Sequence, residues 1–340
     1  MRVLIIFSTF NNSRPMGDPS VWYRCYNFAE KLHERGICCD LAPESKMLDL
    51  CEFVKYYTHV IFFRPRKSLA LTTIIAKCRE EGVKLFASYD DLIFDPSTYR
   101  ISSTLKSMAR KSLIHSRYAD WADAMDNFSN FILSSNFLAT KVKAIKPDAS
   151  IFIVENQLPN EIVNTLIDKP LTQNERPVLG YFGGGISHKE DIILIQRDLE
   201  KFCTEYNATL ILPDSLQRFI SPALSQYVSV FERLTYVDML KLCCSVDICV
   251  APLILDDNSR AKSSIKFSEA IVCGSALVAT ELEAYSPYKN SNNLYLSDNY
   301  SWYEKLSGAL NDGFDNADRH EIVQSIENNF NLALDKVMGY

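Results

Sequence analysis

The sequence has no apolar run long enough to span a membrane as a helix or to serve as a secretory signal. A signal core needs about 7–15 apolar residues and a spanning helix about 20. The amino-terminal run, Val3–Phe7, holds five before Ser8. A basic excess is missing too: 36 Lys and Arg stand against 42 Asp and Glu, a net charge of −6, which argues against general nucleic-acid binding. The ten cysteines include no Cys-x-x-Cys pair, and no Cys/His set has zinc spacing. Most of them lie in apolar stretches such as LCCSVDICVAPL, which predicts buried thiols in a reduced, cytoplasmic chain rather than a disulfide framework.

What is present is apolar content of 47% over 340 residues, enough for two cores. Hydrophobic periodicity predicts strands at 3–7, 37–41, 59–63, 83–88, 130–134 and 151–154, with a helix at 20–35 and helical stretches near 46–55 and 67–81 between them. Three prolines in 157–177 interrupt the pattern. It then resumes with strands at 178–182, 208–212, 228–231, 246–251 and 276–280 and helices at 189–206, 237–244 and 264–273; the tail, 300–337, reads as two or three amphipathic helices. Continuous apolar strands alternating with helices mean parallel, doubly wound α/β sheets with right-handed crossovers. The predicted organisation is a domain over 1–158, a hinge linker over 159–177, a domain over 178–315 and a carboxyl-terminal helix over 316–340 that packs back on the first domain. Ligands of such sheets bind beyond the carboxyl ends of the strands, so a cleft between two such halves is the expected site.

The stretches that carry chemistry fall at those strand ends. In VDICVAPLILDDNSRAKSSIKFSEAIVCGSALVAT, residues 246–280, a strand ends at Ala251-Pro252 and a loop with Arg260 and Lys262 leads to a Ser263/Ser264 N-cap. The following helix has Lys266 in its first turn and Glu269 one turn on. First-turn amides and the helix dipole suit an anion. Charge-assisted contacts contribute roughly 1.5–3 kcal/mol each, so three or four of them approach the roughly 8 kcal/mol of micromolar binding. Glu269 is placed to accept from ribose hydroxyls. In VLGYFGGGISHKED, a strand runs into Gly183, Gly184 and Gly185 before His188 and Lys189; glycines admit close backbone approach to a phosphate. FASYDDLIFDP brings Asp90 and Asp91 to the end of a strand, where one of two adjacent carboxylates can serve as base or hydroxyl ligand. The basic stretch 100–117, with Arg100, Lys106, Arg110, Lys111 and Arg117, suits either an anionic membrane surface or an ordinary solvated helix face.

On these residues the chain resembles GT-B-fold glycosyltransferases, family 4 and related bacterial surface-polysaccharide enzymes above all. The carriers are the APL strand end, the basic loop, the K-F-x-E-A…G helix and the D-D-L-x-F run. The resemblance implies a GT-B architecture of two Rossmann-like domains. It implies that Arg260 and Lys266 face the diphosphate, that Glu269 faces the ribose, and that Gly183, Lys189 and His188 line the donor turn. Leu234 and Tyr236 would line the base pocket, and Gly17 and Arg24 the acceptor side. It departs at Ala261, where family 4 often has a glutamate, and at Gly184, where an arginine is frequent; Arg260 and Lys262 would supply that charge. The implied activity is metal-independent, retaining transfer from a nucleotide sugar to a surface polysaccharide or glycolipid, without a cofactor or nucleic acid, in the cytoplasm or peripherally on the inner membrane face. A nucleotide-sugar epimerase of the same fold, or a non-catalytic subunit supporting a partner transferase, stays open beside it.

Overall fold

The computed structural model describes residues 1–9, 15–98, 108–183, 185–298 and 300–339. The chain divides into two units: Met1–Asn160 with Ala261–Ser263 and Asn329–Tyr340, and Glu161–Arg260 with Ser264–Asn328.

In the first unit, strands β1 (Arg2–Phe7), β2 (Cys38–Pro43), β3 (His59–Phe63), β4 (Lys84–Tyr89), β5 (Asn130–Leu133) and β6 (Ser150–Ile153) form one parallel sheet in the order 2-1-3-4-5-6. All five residues of β3 and five of six in β1 are buried, which is why these segments read as unbroken apolar runs. One face carries Leu4, Ile6, Val60, Phe62, Ala87 and Phe131, covered by the helix Leu69–Glu80 through Leu71, Ile74, Ile75 and Cys78. Ser68 caps that helix by accepting from the Leu71 amide. The other face carries Val3, Ile5, Ile61 and Phe86 and is covered by Phe28 and Leu32, together with Phe330, Leu334 and Val337 near the chain's end. The periodicity at 20–35 predicts one α-helix; the structure has a π-helical turn, Val21–Tyr26, before the α-helix Asn27–Glu34. The wider turn buries Val21, Arg24 and Cys25 together.

In the second unit, β7 (Val178–Gly180), β8 (Thr209–Pro213), β9 (Val228–Phe231), β10 (Ile248–Ala251), β11 (Ala276–Thr280) and β12 (Leu294–Ser297) are also parallel, in the order 12-11-10-7-8-9. Counted from β7, this is the Rossmann order 3-2-1-4-5-6, whereas the first sheet has the flavodoxin-like arrangement at its start. The short strand β12 escaped the sequence reading, and the predicted helix 189–206 is two helices, Lys189–Leu194 and Gln196–Tyr206, broken at Ile195. Gly274 ends the helix Ile265–Cys273 at φ +79°, as a C′ glycine does. The proline-containing stretch expected as a linker is fastened to this unit: Thr172 donates to the Cys244 carbonyl, and Asn174 to the Ser245 carbonyl and Asp247.

All ten cysteines are free thiols, and seven are buried; Cys38 is exposed, because it opens the edge strand β2. No helix among the described residues is long and apolar enough to cross a membrane.

Each sheet gives its switch point two adjacent strands whose crossovers depart in opposite directions: β1 and β3 in the first unit, β7 and β10 in the second. In the second unit the carboxyl-terminal end of the helix Ile265–Cys273 is anchored by Arg319. Its guanidinium, 2% exposed, donates to the carbonyls of Ile271, Val272 and Leu166. Arg319→Met takes the donor from the Val272 carbonyl, while those of Ile271 and Leu166 keep the Gly274 and Lys169 amides, and a loss of about 1–3 kcal/mol is expected in chemical denaturation of the purified chain.

Candidate functional site

At the switch point of the first unit a charged cluster is built around a residue the sequence reading passed over. Arg64 follows β3 directly and is 5% exposed. Its Nε donates to Asp90 Oδ1 at 2.8 Å and its Nη2 to Asp90 Oδ2 at 2.9 Å, a bidentate pair. The same Nη2 reaches Asp91 Oδ2 at 3.0 Å and Ser20 Oγ at 2.9 Å, and Asp18 lies 3.9 Å from Nη1. Burial alone would lower the Arg64 pKa; the charges of Asp90, Asp91 and Asp18 outweigh it and hold it raised. The Tyr23 hydroxyl, 3.1 Å from Ser20 Oγ, is pushed well up by burial and by Asp90.

The two aspartates therefore differ. Asp90 is 4% exposed with both carboxylate oxygens on Arg64. Of the two candidates it is the enclosed one, its oxygens turned to Arg64 rather than to solvent. The Asp91 side chain is 29% exposed and is the accessible carboxylate. Its Oδ1 accepts from Lys262 Nζ at 2.5 Å.

That contact corrects two donor-side expectations. Lys262 pairs with Asp91, and Ser263 Oγ accepts from the buried Asn156 amide at 3.0 Å, so both belong with the first unit. Ala261 is in that unit's core, its carbonyl taking a hydrogen bond from Ser135 Oγ at 3.0 Å. An apolar side chain fits there where the family pattern has a glutamate.

Arg24, expected on the acceptor side, is a structural tie. It is 5% exposed and donates to the Val154 carbonyl, to Ser88 Oγ at 2.9 Å and to the Ile132 carbonyl at 3.2 Å, joining the ends of β4, β5 and β6. Burial lowers its pKa to about 10. Gly17 is exposed at the end of the turn Pro15–Gly17.

The switch point of the second unit holds the helix Ile265–Cys273 and the loops after β7 and β10. Lys266 Nζ donates to Glu269 Oε2 at 2.6 Å and to the Phe182 carbonyl at 3.2 Å, linking the helix to the loop after β7. Burial would lower the Lys266 pKa, but the Glu269 charge and hydrogen bond hold it raised, so the ammonium stays charged near neutral pH. The Tyr236 hydroxyl donates to Glu269 Oε1 at 2.9 Å. Glu269 is 4% exposed with both oxygens engaged inside the protein, and in this structure it holds Lys266. Tyr236, 3% exposed, belongs to the same support and is not an open pocket wall. Leu234 is 38% exposed, and the rings of Phe182, after β7, and Phe231, at the end of β9, lie 5.9 Å apart. Ser264 precedes the helix but makes no side-chain cap hydrogen bond, unlike the predicted N-cap; Arg260 is exposed.

In the loop after β7, His188 Nδ1 lies 2.9 Å from Asp191 Oδ2. Asp191, 1% exposed, accepts from the Ile254 amide at its other oxygen, 2.8 Å. One carboxylate thus ties this loop to the loop after β10. The sequence reading missed Asp191, although an acid three residues after a histidine at a helix start was the available signal. Gly183 has a local cause: a Cβ there would meet the Tyr181 hydroxyl at 2.2 Å. Lys189 Nζ lies over the Phe219 ring at 5.3 Å and 3.5 Å from Glu190. Gly184 and residues 100–107 of the basic stretch lie outside the described residues.

Several solved structures share this architecture. A glycosyltransferase from Rickettsia africae ESF-5 aligns over 99% of this chain and 97% of its own, at 13% identity and a TM-score of 0.62. A putative UDP-N-acetylglucosamine 2-epimerase from Listeria monocytogenes covers 99% and 94%, at 9% identity and 0.57. An α,α-trehalose-phosphate synthase (UDP-forming) from Burkholderia xenovorans, in complex with glucose-6-phosphate, covers 87% and 75%, at 12% identity and 0.54. No family model and no curated protein sequence matches the chain. The chain has the GT-B fold, as its motifs implied.

Because a carboxylate only accepts, Asp191 selects the His188 tautomer protonated at Nδ1 and leaves Nε2 as the ring's acceptor. In Asp191→Asn, the Ile254 amide retains the oxygen and the new NH2 faces His188 Nδ1. The neutral ring is then expected to carry its proton on Nε2, a change read directly from the histidine 15N chemical shifts.

Proposed function

We propose that this chain is a glycosyltransferase that moves a sugar from a nucleotide-sugar donor to a glycan or glycolipid hydroxyl. The supporting observation is Lys266. It is a charged lysine in the first turn of a nine-residue helix at the switch point of a Rossmann-ordered sheet, held by Glu269 and the Phe182 carbonyl. A cation there opposes the helix dipole unless an anion is bound, and the first-turn amides add donors for the same anion. A nucleoside diphosphate fits that chemistry, with exposed Arg260 as a second cation and the Phe182–Phe231–Leu234 surface beside the base.

On this reading, Lys266 and the helix N-terminus stabilise the diphosphate as negative charge develops on it in the transition state. Asp91, the accessible carboxylate of the first unit, binds or deprotonates the acceptor hydroxyl. The assignment needs neither a metal nor a cofactor, and within the fold the motifs favour family 4 and a retaining course. The acceptor is a surface glycan or lipid-linked glycan, and the reaction belongs in the cytoplasm or on the inner membrane face.

A second reading, nucleotide-sugar epimerase, is supported by the coverage of both the Listeria protein and a UDP-GlcNAc 2-epimerase from Methanocaldococcus jannaschii, which aligns over 96% of this chain. Mass analysis separates the two. An epimerase converts its donor with no acceptor present, whereas a transferase releases nucleoside diphosphate in step with glycosylation of an acceptor.

Titration with UDP, GDP, dTDP and CMP is expected to show saturable binding of at least one. Lys266→Ala should weaken that binding at least about tenfold, or roughly 1.4 kcal/mol. Unchanged binding removes the lysine from the phosphate site, and no binding by any of the four removes the donor assignment.

A further inference from the structure

Arg64 has a backbone conformation that its side chain does not favour. Among the described residues, two non-glycines have positive φ, Asn207 at +50° and Arg64 at +52°. Asn207 terminates the helix Gln196–Tyr206, where a left-handed asparagine is ordinary. Arg64 ends no helix. It follows a fully buried strand, and such outliers persist only where the surroundings over-determine them.

The surroundings do so on every side. The Arg64 amide donates to the Ser88 carbonyl at 2.9 Å, its carbonyl accepts from the Trp121 indole at 3.2 Å, and its guanidinium carbon lies 4.9 Å from the centre of the Phe63 ring. The left-handed turn brings the guanidinium onto the residues after β4. There it grips Asp90 with two parallel hydrogen bonds and still reaches Asp91 and Ser20. A pair made for stability alone would be complete with Asp90. The reach to Asp91 is what that explanation leaves over.

The two oxygens of Asp91 have unlike partners. Oδ2 is held by Arg64, whose side chain is 6% exposed, and Oδ1 by Lys262, whose side chain is 39% exposed. A ligand can displace the lysine, which regains water when it leaves; it cannot displace the buried guanidinium at similar cost.

We propose that Arg64 is a positioning residue for the acceptor. It uses Asp90 as an anchor and fixes the Asp91 carboxylate by Oδ2, so that Oδ1 is the oxygen offered to the incoming sugar hydroxyl and Lys262 is the group that hydroxyl replaces. The twin aspartates are then an anchor and a working group. This rests on the transferase reading, in which Asp91 faces the acceptor.

Arg64→Met alone strands a buried carboxylate and can fail to fold, so the test variant is Arg64→Met with Asp90→Asn, which removes both charges of the anchor together. Crystal structures of wild type and double variant give the first readout. With Arg64 gone, the Asp91 carboxylate is expected to shift by more than 1 Å or to occupy several rotamers, with Asp90 replaced in place; an unmoved Asp91 overturns the proposal. The second readout is diphosphate release from UDP-, GDP- or dTDP-glucose with octyl β-glucoside as acceptor. The double variant should lose tenfold or more in kcat while KM for the nucleotide sugar stays within twofold. Wild-type kcat in a folded double variant means that the pair is merely structural and overturns the proposal. If wild type itself releases no diphosphate from any donor, the transferase reading fails, and the Asp91 position still decides what Arg64 does.

Discussion

A carboxylate taken out of water must be met by donors inside the protein, and losing one partner of such a pair costs about 3–5 kcal/mol. Three carboxylates at the strand ends of this chain are under that constraint. Asp90, Asp191 and Glu269 are 4%, 1% and 4% exposed, and each has both oxygens engaged. Their partners are Arg64 for the first, His188 and the Ile254 amide for the second, and Tyr236 and Lys266 for the third. Satisfying these three groups fixes which loops meet at each switch point. The loop after β3 is joined to that after β4, the loop after β7 to that after β10, and the helix Tyr236–Cys243 to the helix Ile265–Cys273.

The same constraint separates supporting residues from those left to meet a ligand. Arg64, Asp90, Asp191, Glu269 and Tyr236 are buried and hold their neighbours. Asp91, Lys262, His188 and Lys266 keep between 29% and 39% of their side chains exposed, and Arg260 is exposed. Each partly exposed group except Arg260 is oriented by a buried one: Asp91 by Arg64, Lys262 through Asp91, His188 by Asp191, Lys266 by Glu269. A ligand at either unit's switch point meets side chains whose positions are already set, which lowers the ordering cost of binding.

Much of the architecture was legible in the sequence because parallel strands buried on both faces write themselves as apolar runs. His59–Phe63 and Ala276–Thr280, buried throughout, were read with their observed limits, as was the edge strand Val228–Phe231, which is not buried. The short β12 has no such run, and the π-helical turn at Val21–Tyr26 has no periodic signature distinct from that of an α-helix. Of the candidate residues, Lys266 and Asp91 remain where their motifs put them, in a helix's first turn and after a strand. The motif around Glu269 and the family resemblance of the helix that carries Arg24 suggested ligand contacts, but the structure gives both residues protein partners. A residue type and its spacing state what a side chain is able to bind; burial decides whether anything but the protein can reach it.

The sequence by itself determined two parallel α/β halves, the strand ends at which charge gathers, and the absence of long apolar helices, because each follows from hydrophobic patterning over a few residues. Only the tertiary structure decided which cation belongs to which acid. Lys262 lies four residues from Lys266 and was read as its companion, yet it pairs with Asp91, 171 positions away. Arg64 and Asp90 are 26 positions apart and meet only because β3 and β4 are neighbours in the sheet. Coulomb attraction and desolvation act on distance in space, and that distance is set by strand order, which no local pattern in this chain records.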